Sequence, residues 1–180
     1  MMSYKPVSLM PVVLALTLAG CGGRSAEKEF AATNCPSPLT VQDAQQLTRF
    51  KAGPGRDPRD IVFEAALTGA AVSCSLGRKQ MDVDLVMRIA VNAGPSVGAG
   101  VSSVPYFVRV LDARGVVVQG REFSAGFKLS QSSPRGQSQE ELSLQLPYVE
   151  LSDVAGYRIA VGLMPTPQEL DYNRRASARP

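Results

Sequence analysis

Histidine and tryptophan are absent from this 180-residue chain, and cysteine occurs only three times. Without histidine the commonest general base and metal ligand is missing, so Ser-His and Cys-His nucleophilic sites and His-ligated zinc are excluded. A Ser-Lys pair built on Lys28, Lys51, Lys79 or Lys128 is not expected, and no cofactor is expected. Without tryptophan a stacking platform for carbohydrate is disfavoured. The chain also lacks a strong excess of either charge. Its 19 Lys and Arg stand against 16 Asp and Glu, a balance that points away from nucleic acid as a partner. Nor does any apolar run reach the roughly 20 residues of a membrane-spanning helix. The nearest approach, Val7 to Leu18, is short and interrupted by Pro11.

That run is nevertheless informative. Met1 to Lys5 form a short positive region, Val7 to Leu18 an apolar one, and small residues lead into Cys21, the pattern of a secretory signal. Leu18-Ala19-Gly20-Cys21 resembles the lipobox of bacterial lipoproteins in every position. The resemblance implies cleavage before Cys21, a diacylglycerol on its thiol and a palmitate-type chain on the new amine. Several chains are needed physically, because one is marginal at about 0.8 kcal/mol per buried methylene. In such lipoproteins an Asp after the cysteine is associated with inner-membrane retention. Gly22 and Gly23 stand there, so the implied address is the periplasmic face of the outer membrane, with the lipid on Cys21 as the membrane contact.

With Cys21 assigned to lipid, Cys35 and Cys74 remain as an even pair in an oxidising compartment. A disulfide is expected; two free thiols or a metal pair are the alternatives. The resulting organisation is a signal peptide over 1–20, a flexible tether over 21–34, one domain over 35–173 and a disordered basic tail over 174–180 containing Arg174, Arg175 and Arg179. Losing Lys5 with the signal lowers the formal charge from +3 to +2.

Within the domain, Thr40 and Asp43 have the form of a capping box, and Val41, Ala44, Leu47 and Phe50 recur at helical spacing, which predicts a short helix over 41–49. Period-two alternation then takes over. Ile61 to Leu67 and Ala71 to Leu76 read as two strands separated at Gly69. Met81, Val83, Leu85, Met87, Ile89 and Val91 alternate as one dry face, with Asp82, Asp84, Arg88 and Asn92 on the other. Residues 94–103 read as a loop. Val104 to Leu111 and Val116 to Phe123 flank Asp112-Ala113-Arg114-Gly115 as a hairpin. Residues 124–138 read as a long exposed loop, Leu142 to Leu146 and Tyr157 to Leu163 as the last strands, and Thr166-Pro167-Gln168-Glu169 as a capping box opening a short helix.

Seven such strands predict a mainly β fold, an antiparallel Ig-like or related β-sandwich with a short helix near each end. Asp153-Val154-Ala155-Gly156-Tyr157-Arg158-Ile159 resembles the tyrosine corner of immunoglobulin domains, with Ile159 where the cysteine would stand. An ordinary turn leading into a strand with a buried tyrosine is the alternative.

Candidate chemistry is sparse. Asp82 and Asp84, two apart on one strand face, are the only paired carboxylates with the layout of a hydrolytic site, and charge balance by Arg88 or a neighbouring strand is the simpler reading. Asp57 and Asp60 supply oxygens of the kind calcium takes, but at no EF-hand spacing and among arginines. Tyr106, Phe107, Phe123 and Phe127 are core or rim aromatics. These features together predict a non-enzymatic envelope module that binds a protein partner. A small-ligand, glycan or lipid binder, using the cleft between sheets or the 94–103 loop, is the alternative, and a carboxylate hydrolase the third reading.

Overall fold

The computed structural model describes residues 23–53 and 56–177. The lipobox and Cys21 lie outside the described residues. Eight strands form two four-stranded sheets around one apolar core. They are β1 (Pro38–Thr40), β2 (Gln46–Phe50), β3 (Ile61–Leu76), β4 (Gln80–Ala93), β5 (Gly100–Leu111), β6 (Val117–Leu129), β7 (Arg135–Pro147) and β8 (Arg158–Leu163). The first sheet has the order β1-β8-β5-β6 and the second β2-β3-β4-β7. Every described pairing is antiparallel except β1 with β8. The protein is a β-sandwich.

The strand order has a recognisable logic. β3 and β4 pair within the second sheet, the chain crosses to the first for the β5–β6 hairpin, returns for β7 beside β4 and crosses again for β8 beside β5. At the edge of the first sheet the N-terminal β1 runs parallel to β8. The six alternating apolar residues from Met81 to Val91 are all buried, and Asp84, Arg88 and Asn92 are exposed on the other face. The Asp112–Gly115 turn forms as expected, with Gly115 at φ +80° where a side chain would be strained.

Several expectations are corrected. Residues 41–49 do not form a helix: Gln42–Ala44 make one 3-10 turn, and β2 begins at Gln46. A nine-residue helix is marginal alone, whereas β2 gains a ladder along β3 and buries Leu47, Thr48 and Phe50. β3 is one strand through Gly69, with an irregular register between Leu67 and Gly69 in place of a break. The expected loop over 124–138 is mostly strand, because Ala125, Phe127 and Leu129 face the core and β7 already pairs with β4 from Arg135. Gly94 to Ser103 likewise shortens, since β5 starts at Gly100.

The helices are α1 (Gly23–Asn34), α2 (Leu151–Val154) and α3 (Pro167–Ser177). The segment expected as a tether is therefore helical: α1 packs on β3, buries Ala31 in the core and ends at Cys35, which is bonded to Cys74 of β3. The basic tail is helical through Ser177 as well. Arg174 pairs with Asp43, and Asn173 accepts a hydrogen bond from the buried Thr48 hydroxyl at 2.9 Å. The Thr166 capping box forms, with Thr166 N–H donating to Glu169 at 2.8 Å. Glu169 is itself buried and paired with Arg49 at 3.1 Å.

Gly94 has ordinary backbone angles yet tolerates no side chain. A Cβ there would stand 2.2 Å from the Ile61 carbonyl oxygen, whereas at Gly98 it would meet nothing within 4 Å. Gly94→Ala is expected to cost about 1–3 kcal/mol, and Gly98→Ala close to none; urea denaturation of the two variants compares them, and equal midpoints would contradict the close approach.

Candidate interaction surface

The residues singled out for chemistry are dispersed. Cys35 and Cys74 form a disulfide, so neither is available as a nucleophile or ligand. Asp82 and Asp84 lie on the outer face of the second sheet, and each has its own neutral neighbour. The Gln80 side-chain amide donates to Asp82 and the Ser143 hydroxyl to Asp84, both at 2.8 Å. Asp57 is held by Arg59, whose backbone and guanidinium both donate to it, and the Arg59 side-chain bond is the main reason its pKa falls to about 2. Asp60 pairs with Lys51 at 2.7 Å. Both carboxylates thus face cations of the chain. One S-x-x-K spacing does occur, Ser25 to Lys28, on α1, but the S-D-N and K-T-G companions of Ser-Lys enzymes are missing from the chain.

The Asp153–Ile159 stretch runs from α2 through a turn into β8. Asp153 accepts the N–H groups of Val149 and Glu150, which closes the first turn of α2. The Tyr157 hydroxyl donates to the Pro147 carbonyl at 2.7 Å, joining the end of β7 to the start of β8. Burial, with the Asp153 and Asp112 carboxylates adding, raises the Tyr157 pKa.

Between the sheets, Tyr106 is buried, stacks on Phe123 with ring centroids 5.3 Å apart, and donates to Glu140 at 2.9 Å. Burial first, then this bond, pushes its pKa well above the usual tyrosine value. Glu140 is a charge pointing inward from an edge strand, one of the ways a sheet edge resists unwanted pairing. Phe127 is buried near Gly136, where a Cβ would come within 2.9 Å of its ring. Phe107 lies on the outer face beneath the Arg109 guanidinium, 4.9 Å from the ring centroid.

The two sides of the sandwich differ. Toward β1 and β2 the gap is filled: the 3-10 turn links the two sheets, α1 lies on β3, and α3 lies on β2. Toward β6 and β7 none of the described helices packs along the strands. The edges approach at Phe127 and Gly136, and near the other end of the strands lies a cleft of about 660 Å³. Val108 and Val110 line it, with Gln119, Arg121 and Phe123 from β6 and Leu144 from β7. One bond crosses it, from the Gln119 side chain to the Gln145 carbonyl at 2.8 Å.

Exposed apolar residues gather at the same end. Val116, Val117 and Val118 are each about half exposed at the start of β6, and Val149 is 93% exposed just beyond β7. Val149 borders a second concavity of about 520 Å³, shared by the Asp112–Arg114 turn and the Tyr148–Tyr157 corner. Pro147 lines both hollows.

No known family model matches the chain, and no curated protein matches it either. The surface is accordingly described from its own residues. Sequence reasoning placed Val116 to Phe123 in a strand but did not single out the valines. The signal was available: three consecutive residues of a strand alternate faces, so three adjacent valines cannot all enter one core.

Proposed function

We propose that this protein is a lipid-anchored envelope lipoprotein, held through Cys21 at the periplasmic face of the outer membrane, in which the sandwich acts as a non-enzymatic protein-interaction or assembly module. The observation that carries the interaction role is the exposure of Val116, Val117, Val118 and Val149 at one end of the sandwich, next in sequence to the β6 and β7 residues that line an open cleft, on a side of the fold that no described helix covers. Exposed apolar patches rimmed by polar residues mark docking sites on soluble domains. The dispersed, individually satisfied carboxylates favour binding over hydrolysis.

Two measurements test the two halves of the reading. Cys21→Ala, or blocking the lipoprotein signal peptidase, is expected to leave a larger species that moves from the detergent phase to the aqueous phase; unchanged processing and partitioning would sink the anchor. Photo-crosslinking residues placed at Val118 and Val149 are expected to give discrete adducts in the envelope, and a control at the exposed Gln137 on β7 none. Absence of adducts at both valines would sink the docking role. The cleft also lies within the roughly 300–1,000 Å³ range of small-ligand pockets, which supports ligand binding as the second reading; native mass spectrometry of the purified domain tests it through retained mass.

A further inference from the structure

We infer that the partner binds by strand addition: an extended segment of an envelope protein pairs with the free edge of β6 and covers the cleft between β6 and β7. This rests on the interaction role proposed above and specifies its mode.

The first ground is the edge itself. β6 pairs with β5 on one side and with no strand on the other, and such a row of unpaired N–H and C=O groups is a template for another chain. Protective devices at an edge include proline, lysine, a bulge or a covering element. The stretch Val116 to Phe123 contains neither proline nor lysine, and its one irregularity, the extra residue Val118 opposite Val110 and Leu111, is confined to its start and leaves a regular edge from Gln119 onward. β7, across the cleft, is protected differently: Glu140 points inward and Pro147 closes its end.

The second ground is the asymmetry of the sandwich. Helices and the 3-10 turn close the β1 and β2 side, whereas the β6 and β7 side is open beside Val108, Val110 and Leu144. A strand added to β6 extends the first sheet, and its alternate side chains fall on the cleft side. In strand-addition complexes the main chain supplies affinity and these alternate side chains supply specificity.

The third ground is charge. Arg121 lines the cleft and has no ion pair among the described residues. The other polar side chains of the lining, those of Gln80, Gln119, Ser143 and Gln145, are neutral. A carboxylate on the inward side of the added strand complements Arg121. The occupant is therefore an extended segment in which apolar residues alternate and one inward position is Asp or Glu. The β6 edge of a second copy of this chain does not meet that requirement. In a two-fold antiparallel pair of β6 strands, opposed residues share a face; Arg121 and Glu122 point to opposite faces, so no such register sets one against the other.

The test uses the mature domain and two synthetic seven-residue peptides of alternating valine and threonine, one with a central glutamate and one with a central lysine. Hydrogen exchange is expected to slow at amides of residues 116–123 with the glutamate peptide, which binds about tenfold more tightly than the lysine peptide, and Arg121→Glu is expected to invert that preference. Val118→Lys, at the irregular start of β6, is expected to weaken both peptides, as an edge lysine does. Absence of protection in β6, or equal binding of the two peptides, overturns the inference. Protection of β6 that grows with protein concentration alone also overturns it, in favour of self-association. The failures remain distinguishable: adducts at Val118 or Val149 with β6 amides unprotected in the complex leave the docking role standing and remove strand addition, whereas missing adducts remove the docking role itself.

Discussion

Replacing both Cys35 and Cys74 with alanine is expected to lower the unfolding free energy by about 4 kcal/mol, the loop-closure entropy that a cross-link over 39 residues removes from the unfolded chain. The effect has a local component beyond the loop. Cys35 follows the last residue of α1, so the bond holds the helix against β3, where Ala31 enters the core and Ala70, Val72 and Leu76 pack at its margin. Without it, α1 keeps one buried alanine and few other apolar contacts. The double variant is therefore expected to be cleaved within residues 23–34 by dilute protease while the sandwich survives. Guanidinium denaturation of the wild type, with and without reductant, reads the same loss independently. A change below about 1 kcal/mol, with α1 equally resistant to protease, would contradict this role.

Tyr106→Ala is expected to cost about 4 kcal/mol, as for other large aromatic truncations in cores, and Tyr106→Phe about 1–3 kcal/mol. The larger change removes a buried ring and its stacking on Phe123; the smaller one removes only the donor to the Glu140 carboxylate. The second term depends on pH in a defined direction. In the unfolded chain the phenol ionises near pH 10, and in the folded protein burial and the Glu140 bond raise its pKa above that value. The folded state thus holds the proton more tightly. Its contribution is complete below about pH 10 and is lost as pH rises from there through the raised folded pKa. Urea midpoints of wild type and Tyr106→Phe measured between pH 8 and pH 12 are expected to converge at the alkaline end. A gap that stays constant across that range would place the effect in packing alone.

How far the sequence could be read depended on where each residue finds its partners. β4 was legible because its dry face is continuous: six inward apolar residues recur at every second position opposite a face that carries Asp82, Asp84, Arg88 and Asn92, and both neighbours in the sheet are long strands. The Asp112–Gly115 hairpin and the Thr166 capping box were legible because their hydrogen bonds close within four residues. The 41–49 segment misled for the opposite reason. Its helical spacing is real, but Thr48 bonds to Asn173, 125 residues away, and Leu47 pairs with Ala65. Long-range partners of that kind outweigh a weak local preference. β7 was cut short because its first half carries polar residues on both faces and is held by backbone pairing with β4, and β6 because Ser124, Gly126 and Lys128 stand between the apolar residues of its buried alternation, Ala125, Phe127 and Leu129. The candidate surface was half legible: the valine triplet is visible in the chain, but the open side of the sandwich is not.

The sequence by itself determined the chemistry available to this protein. Without histidine and with dispersed carboxylates, it carries an even cysteine pair, one alternating strand that demands a second sheet, and a lipobox-like stretch at Cys21. These are properties of residue identity and short spacing, which a linear reading captures. Tertiary structure alone decided that residues 23–34 are a docked helix, that β1 runs parallel to β8 at the edge of the first sheet, and that one side of the sandwich is filled while the far edge of β6 is left unpaired. Those outcomes depend on which elements meet after crossing between sheets, and nothing within a few residues of β6 specifies that its far edge faces solvent.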